Sequence, residues 1–183
     1  MAATSRGRPH ASSREVLADA ACELFLEQGY DATSITMITQ RAGLSRSSFF
    51  NYFDAKPDIV WFVFDEHLAA LEAALDDASI PLTAALTRFG EGAPPDTLAL
   101  AIVDARNMGV ESELHSGRAV RQLRIAEAIA ERLMREGKLD ISAEIAAAGL
   151  AAALVGSVWR WAMQGAGRHS LQDLVAEALA AAQ

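Results

Sequence analysis

Residues 33–56, TSITMITQRAGLSRSSFFNYFDAK, constrain this chain more tightly than any other stretch, because they read as two short helices meeting at a glycine. Ile35, Met37 and Ile38 make a brief apolar face that Ala42-Gly43-Leu44 interrupts. Ser45 then offers a side-chain oxygen where a second helix needs an N-cap. Phe49 and Phe53 stand four residues apart, so the second helix can pack back on the first. Arg46, Ser47, Ser48, Asn51 and Tyr52 are left to point outward. An ordinary helical hairpin satisfies the same bare pattern. Two short helices with Gly in the turn, the second polar at its N-terminal end, also describe a DNA-reading helix-turn-helix.

The flanking sequence favours the second description. SSREVLADAACELFLEQGY reads as a longer amphipathic helix, capped by Ser12 or Ser13 with Glu15 close enough to help. Val16, Leu17, Ala20, Ala21, Leu24 and Phe25 recur at helical spacing. Glu15, Asp19, Glu23 and Glu27 line one acidic stripe, which must turn away from phosphate, and Gly29 ends the helix. This helix is a scaffold for the pair that follows.

Residues 13–60 resemble the DNA-binding domain of the TetR family of bacterial transcriptional regulators. The resemblance rests on Leu24-Phe25, Gly29-Tyr30, Thr33-Ser34, Ile38, Ala42-Gly43-Leu44-Ser45, Phe49, Asn51-Tyr52-Phe53 and Lys56. Two positions depart from the pattern. Ser47-Ser48 stand where the family usually has Gly or Pro followed by Thr. Phe50 stands where a tyrosine hydroxyl commonly touches a phosphate. The resemblance implies that Thr33, Ser34, Ser45, Arg46, Ser47, Ser48, Asn51, Tyr52 and Lys56 face DNA, with Lys56 on the backbone.

Formal charge looks wrong for a DNA binder until it is divided. Of the net −8, residues 1–60 carry −1, from six basic against seven acidic residues, and the remainder carries −7. Field at the binding face, not total charge, governs affinity. Residues 1–12 read as a flexible basic arm in which Arg6 and Arg8 can enter a minor groove or simply remain solvated. The single Cys22 excludes an internal disulfide and suits a small buried position. With no leader-like or uninterrupted apolar span, the reading places the protein in the cytoplasm without a membrane partner.

Abundant alanine, five prolines and no alternating pattern make the fold class all-α, with residues 13–57 as the helix-turn-helix domain and 58–183 as an effector-binding and dimerisation domain. Lys56-Pro57-Asp58 starts a helix running to about Asp77 that is apolar nearly all round, which requires burial on several sides. In relatives the corresponding helix links ligand pocket to DNA spacing. Breaks are expected at Pro81, from Gly90 to Pro95, near Ser116-Gly117 and at Gly137. A helix is expected after Asp96, and another from Arg118 to Arg135 with Val120, Leu123, Ile125, Ile129 and Leu133 inward and its charges solvated. The small-residue helix after Asp140 contains Glu144 and Arg160, which argue against a membrane span. With the helix after Ser170 it should leave an apolar patch that a second copy covers as a four-helix bundle.

Trp61, Phe64, His67, Phe89, Met108, His115, Trp159 and Met163 are candidates for an effector cavity, with Arg121 or Arg124 as an anion anchor. Such a lining suits a hydrophobic or amphipathic small molecule. The four histidines lack metal-ligand spacing, there is no glycine-rich phosphate loop, and no metal, cofactor or catalytic residue is expected. The expected function is a homodimeric repressor released from a palindromic double-stranded DNA operator by a small effector. The alternative is a helix-turn-helix regulator controlled by a protein partner.

Overall fold

The first helix, α1 (Ser13–Gln28), starts as a closed capping box. Ser12 Oγ accepts from the Glu15 amide at 3.3 Å, and the Ser12 amide donates to the Glu15 carboxylate at 2.8 Å. The computed structural model describes residues 12–182, so the basic arm expected over residues 1–12 lies, apart from Ser12, outside the described residues. After α1 come α2 (Ile35–Arg41), α3 (Arg46–Phe50) and α4 (Asp58–Asp76). The body continues with α5 (Leu82–Thr87), a 3-10 turn (Arg88–Gly90), α6 (Asp96–Val103), α7 (Ala105–Met108), α8 (Glu111–Arg135), α9 (Asp140–Met163) and α10 (Leu171–Ala181). The fold is all-α.

Burial follows the predicted faces through the head and into α4. Leu17, Phe25, Ile38, Phe49 and Phe53 form a core that runs without a gap into Ile59, Trp61, Phe64, Leu68 and Leu71 of α4. Cys22 is buried. Burial first, then the neighbouring Asp19 and Glu23, push its thiol up to about 12, so it is protonated and unreactive at neutral pH.

α8 departs from the sequence reading in two ways. There is no break near Ser116-Gly117: the helix runs unbroken from Glu111 to Arg135. The chain turns earlier, at Gly109, whose φ of 66° suits a residue without a Cβ. Gly117 is instead a notch for Trp61, since a Cβ there would lie 2.6 Å from indole Cε2 and Cζ2. Gly117→Val should therefore cost at least about 2 kcal/mol by overpacking. The measurement is the urea midpoint, and an unchanged value would show that the notch has slack.

The second departure concerns which face of α8 is inward. Val120 and Leu123, expected inside, are 65% and 60% exposed. The inward face carries arginines that an apolar count overlooks. Arg132 is 5% exposed. It donates to the carbonyls of Leu75, Asp77 and Ile80 at 3.0, 3.1 and 2.8 Å, and Arg135 reaches the Leu75 carbonyl at 3.0 Å. These two cations satisfy carbonyls at and beyond the C-terminus of α4, where the helix dipole favours positive charge. Arg132 is part of the core, not of the solvated face expected, while Arg135 remains exposed and reaches in only at its tip.

α9 pairs with α8 on one side and α10 on the other. Its free face is apolar: Ile141 and Ile145 are 69% and 70% exposed, Met163 is 67% exposed, and Ala148, Gly149 and Ala152 are exposed between them. By length and composition α9 is apolar enough to cross a membrane, with mean hydropathy 1.8 over its most apolar stretch, of which 39% is buried.

Candidate nucleic-acid interface

Two serines and a glycine set the local geometry of the helix pair. Ser34 Oγ accepts from the Met37 amide at 3.2 Å and starts α2. Ser45 Oγ accepts from the Ser48 amide at 3.1 Å and starts α3. Gly43 makes the turn between them with φ 67°. Phe49 is fully buried and touches Phe53, with ring centroids 5.5 Å apart, so α3 is anchored from beneath. Its other face is open: Ser45, Arg46, Ser47, Phe50, Asn51 and Tyr52 are exposed and Ser48 is half-buried.

The acidic stripe of α1 is partly neutralised. Arg41 at the end of α2 reaches Glu27 through two bonds of 2.9 and 2.6 Å and Glu23 at 3.1 Å. That lowers the Glu27 pKa, chiefly through the hydrogen bond from Arg41. Among the described residues Arg46 has no such partner, and it lies 5.8 Å from the centroid of the Phe50 ring. It is thus the cation that α3 offers to a ligand.

Thr33 does not belong to the DNA-facing set. It is 2% exposed, its hydroxyl donates to the Gly29 carbonyl at 2.8 Å, and its amide donates to the Tyr30 carbonyl at 3.1 Å. Both donors are spent closing the turn between α1 and α2. Lys56 is also engaged. Its ammonium donates to the Tyr30 and Thr33 carbonyls at 2.6 and 3.0 Å and sits 3.8 Å from the Tyr30 ring centroid. Burial depresses its pKa, against smaller opposing effects of Asp31 and Glu113. Its first role is to hold the loop before α2, which the phosphate-contact reading missed. Tyr30 is held from the other side as well, its amide donating to the Met108 carbonyl at 2.7 Å.

Arg14 ties the helix pair to α4. It pairs with Glu66, and its guanidinium carbon lies 4.4 Å from the Phe62 ring centroid and 5.7 Å from that of Phe53. Read alone, its sequence position signalled nothing, because its partners lie 39 to 52 residues away.

The ten effector candidates do not make one cavity wall. Trp61, Phe64 and Phe89 are packed edge to face and almost fully buried, and Trp61 also meets Trp159 at 6.0 Å. The ring nitrogens of His67 lie 2.7 and 2.8 Å from the carbonyls of Phe89 and Ala93. Met108 is fully buried where α7 meets the head, while Met163 and His115 are exposed. Arg121 forms two 2.6 Å bonds to Asp65, and Arg124 bonds of 2.5 and 2.6 Å to Glu72. The proposed anion anchors are therefore neutralised by α4. An apolar space of about 410 Å³ lies elsewhere, among Leu82, Leu86, Leu150 and Leu179. Among the described residues no group of His, Cys, Asp and Glu is placed to hold a metal.

The three-helix head presents, in α3, a short third helix whose open face carries an arginine without an acidic partner among the described residues, three serines, an asparagine and two aromatics. That is the head of a helix-turn-helix protein. Residues 17–60 match the family described as bacterial regulatory proteins, tetR family, so this head is similar to the DNA-binding domain of that family. Similar proteins include the mycofactocin biosynthesis transcriptional regulator named MftR of Mycobacterium tuberculosis, 37% identical over 82 residues, 44% of this chain and 41% of that protein. The HTH-type transcriptional repressor DhaR of a Mycobacterium species is 32% identical over 72 residues, 37% of this chain and 36% of that one. The chain thus spans about two fifths of the length of these relatives in the matched region. The whole fold is similar to the fatty acid degradation regulator FadR from Bacillus halodurans, with TM-score 0.54 at 18% identity over 96% of both chains.

Proposed function

We propose that this protein is a homodimeric transcriptional repressor that grips a palindromic operator with two copies of α3 and lets go when a small hydrophobic or amphipathic molecule binds the body. The observation that carries the reading is the open face of α3, where Arg46 has no acidic partner among the described residues while Arg41, one turn-loop away, is consumed by Glu23 and Glu27. Ser34, Ser45, Ser47, Ser48, Asn51 and Tyr52 flank it, with Lys56 as the accompanying backbone contact.

Dimerisation is supported by α9. A helix of this apolarity with Ile141, Ile145 and Met163 in water is costly for a monomer, and a two-fold partner covers the face while placing two heads in matching orientation. Effector binding is supported by the 410 Å³ apolar space between α5, α9 and α10, within the size range of small-ligand pockets. The paired arginines disfavour the anion-anchor version of that pocket. Such a regulator acts on DNA in the cytoplasm.

The test is selection from a random duplex pool by the purified full chain, followed by footprinting. An inverted repeat should enrich, with protection symmetric about its centre. An enriched site without two-fold symmetry would sink the dimeric reading.

A further inference from the structure

The three serines around α3 have largely spent their hydrogen bonds on one another. Ser45 Oγ lies 2.8 Å from Ser47 Oγ, 2.7 Å from Ser48 Oγ and 3.1 Å from the Ser48 amide it caps. What still reaches outward along the helix is the pair Arg46 and Phe50, four residues apart on one face, with the guanidinium 5.8 Å from the ring centroid. Phe50 is 47% exposed, although Phe49 beside it is fully buried. An apolar ring held in water on the reading helix, with a cation resting against it, calls for an apolar partner on the ligand.

Building on the DNA-binding reading, we propose that Phe50 is a specificity residue that packs on a thymine methyl group, while Arg46, steadied by the same ring, reads a neighbouring guanine. The major groove offers both features: the thymine C5-methyl is its apolar mark, and guanine N7 and O6 take an arginine through two bonds. Phe50 has no hydroxyl and so cannot make a tyrosine's phosphate bond. Four residues of helix rise about 6 Å, and base pairs are spaced by about 3.4 Å. The guanine and the thymine therefore fall within two base pairs of each other in each half-site.

The experiment uses the full chain and the operator enriched from the random pool. Each thymine is replaced singly by uracil, which deletes only the methyl group. One thymine per half-site should be sensitive, wild-type affinity falling about fourfold, the value of one buried methyl. Phe50→Ala should bind the thymine and uracil operators equally, and Phe50→Tyr should keep the discrimination. Because Phe50 is half in water, both variants should fold, which circular dichroism verifies. An operator whose every thymine tolerates uracil overturns the proposal, as does a uracil penalty that survives in Phe50→Ala. Either result would assign Phe50 to sugar or phosphate packing. A pool in which nothing enriches overturns the DNA-binding reading and the proposal with it.

Discussion

Arg46→Ala should weaken binding to the enriched operator by about 1–3 kcal/mol, the discrimination carried by one bidentate arginine–guanine contact, while binding to unrelated duplex falls far less. Two features support this asymmetry. Arg46 is exposed and faces no carboxylate among the described residues, so its removal leaves no buried charge behind. It is also absent from the bonds that hold the head together, so the variant should melt like the wild type. The measurement is a pair of titrations, on operator and on scrambled duplex, each across a salt series. A phosphate contact would lose both affinities alike and reduce the salt slope by about one ion. Equal losses would therefore move Arg46 from base reader to backbone clamp.

The second large effect concerns assembly. Gly156 lies on the free side of α9, and nothing stands within 4 Å of where its Cβ would be. Gly156→Leu should therefore leave the single subunit folded and disturb only what a second copy brings against it. In sedimentation the variant should run as a monomer. Operator affinity should fall by more than about a hundredfold, because a palindrome is then held by one reading helix instead of two. A folded monomer with undiminished operator affinity would remove the dimer from the mechanism. A variant that stays dimeric would place Gly156 outside the interface and shift attention to Ile141 and Ile145.

What the sequence disclosed was whatever is decided within a few residues. Ser12, Ser34, Ser45 and Ser170 all cap helices, because a cap needs only its own amides three residues on. The burial of α4 was legible for a similar reason, since an all-round apolar helix has nowhere else to go. Most of the failures involve partners that a local pattern cannot place. Gly117 reads as a breaker until Trp61 is set against it. Arg121 and Arg124 read as anion anchors, and Arg132 as part of a solvated face, until Asp65, Glu72 and the end of α4 are beside them. Thr33 and Lys56 have the residue types of phosphate contacts, and their diversion to carbonyls of Gly29, Tyr30 and Thr33 is invisible without the loop's path. The effector candidates failed differently. Aromatic composition does not distinguish a ring that lines a cavity from one that fills it, and Phe64 and Phe89 fill it.

Tyr30 has a consequence for modularity. Its amide hydrogen is taken by Met108, nearly eighty residues later, and its carbonyl by Lys56 at the foot of α4, while Phe53 of the head meets Phe62 of α4. The loop that delivers α2 and α3 is thus completed by atoms the head does not own. Cutting at residue 57 would strip the Met108 acceptor and the Phe62 ring from it, so the head is not an exchangeable cassette. A chimera that grafts this head onto another helical body inherits its reading residues but not the partners that orient them. Grafting would have to carry α7 and the first turns of α4 along with it.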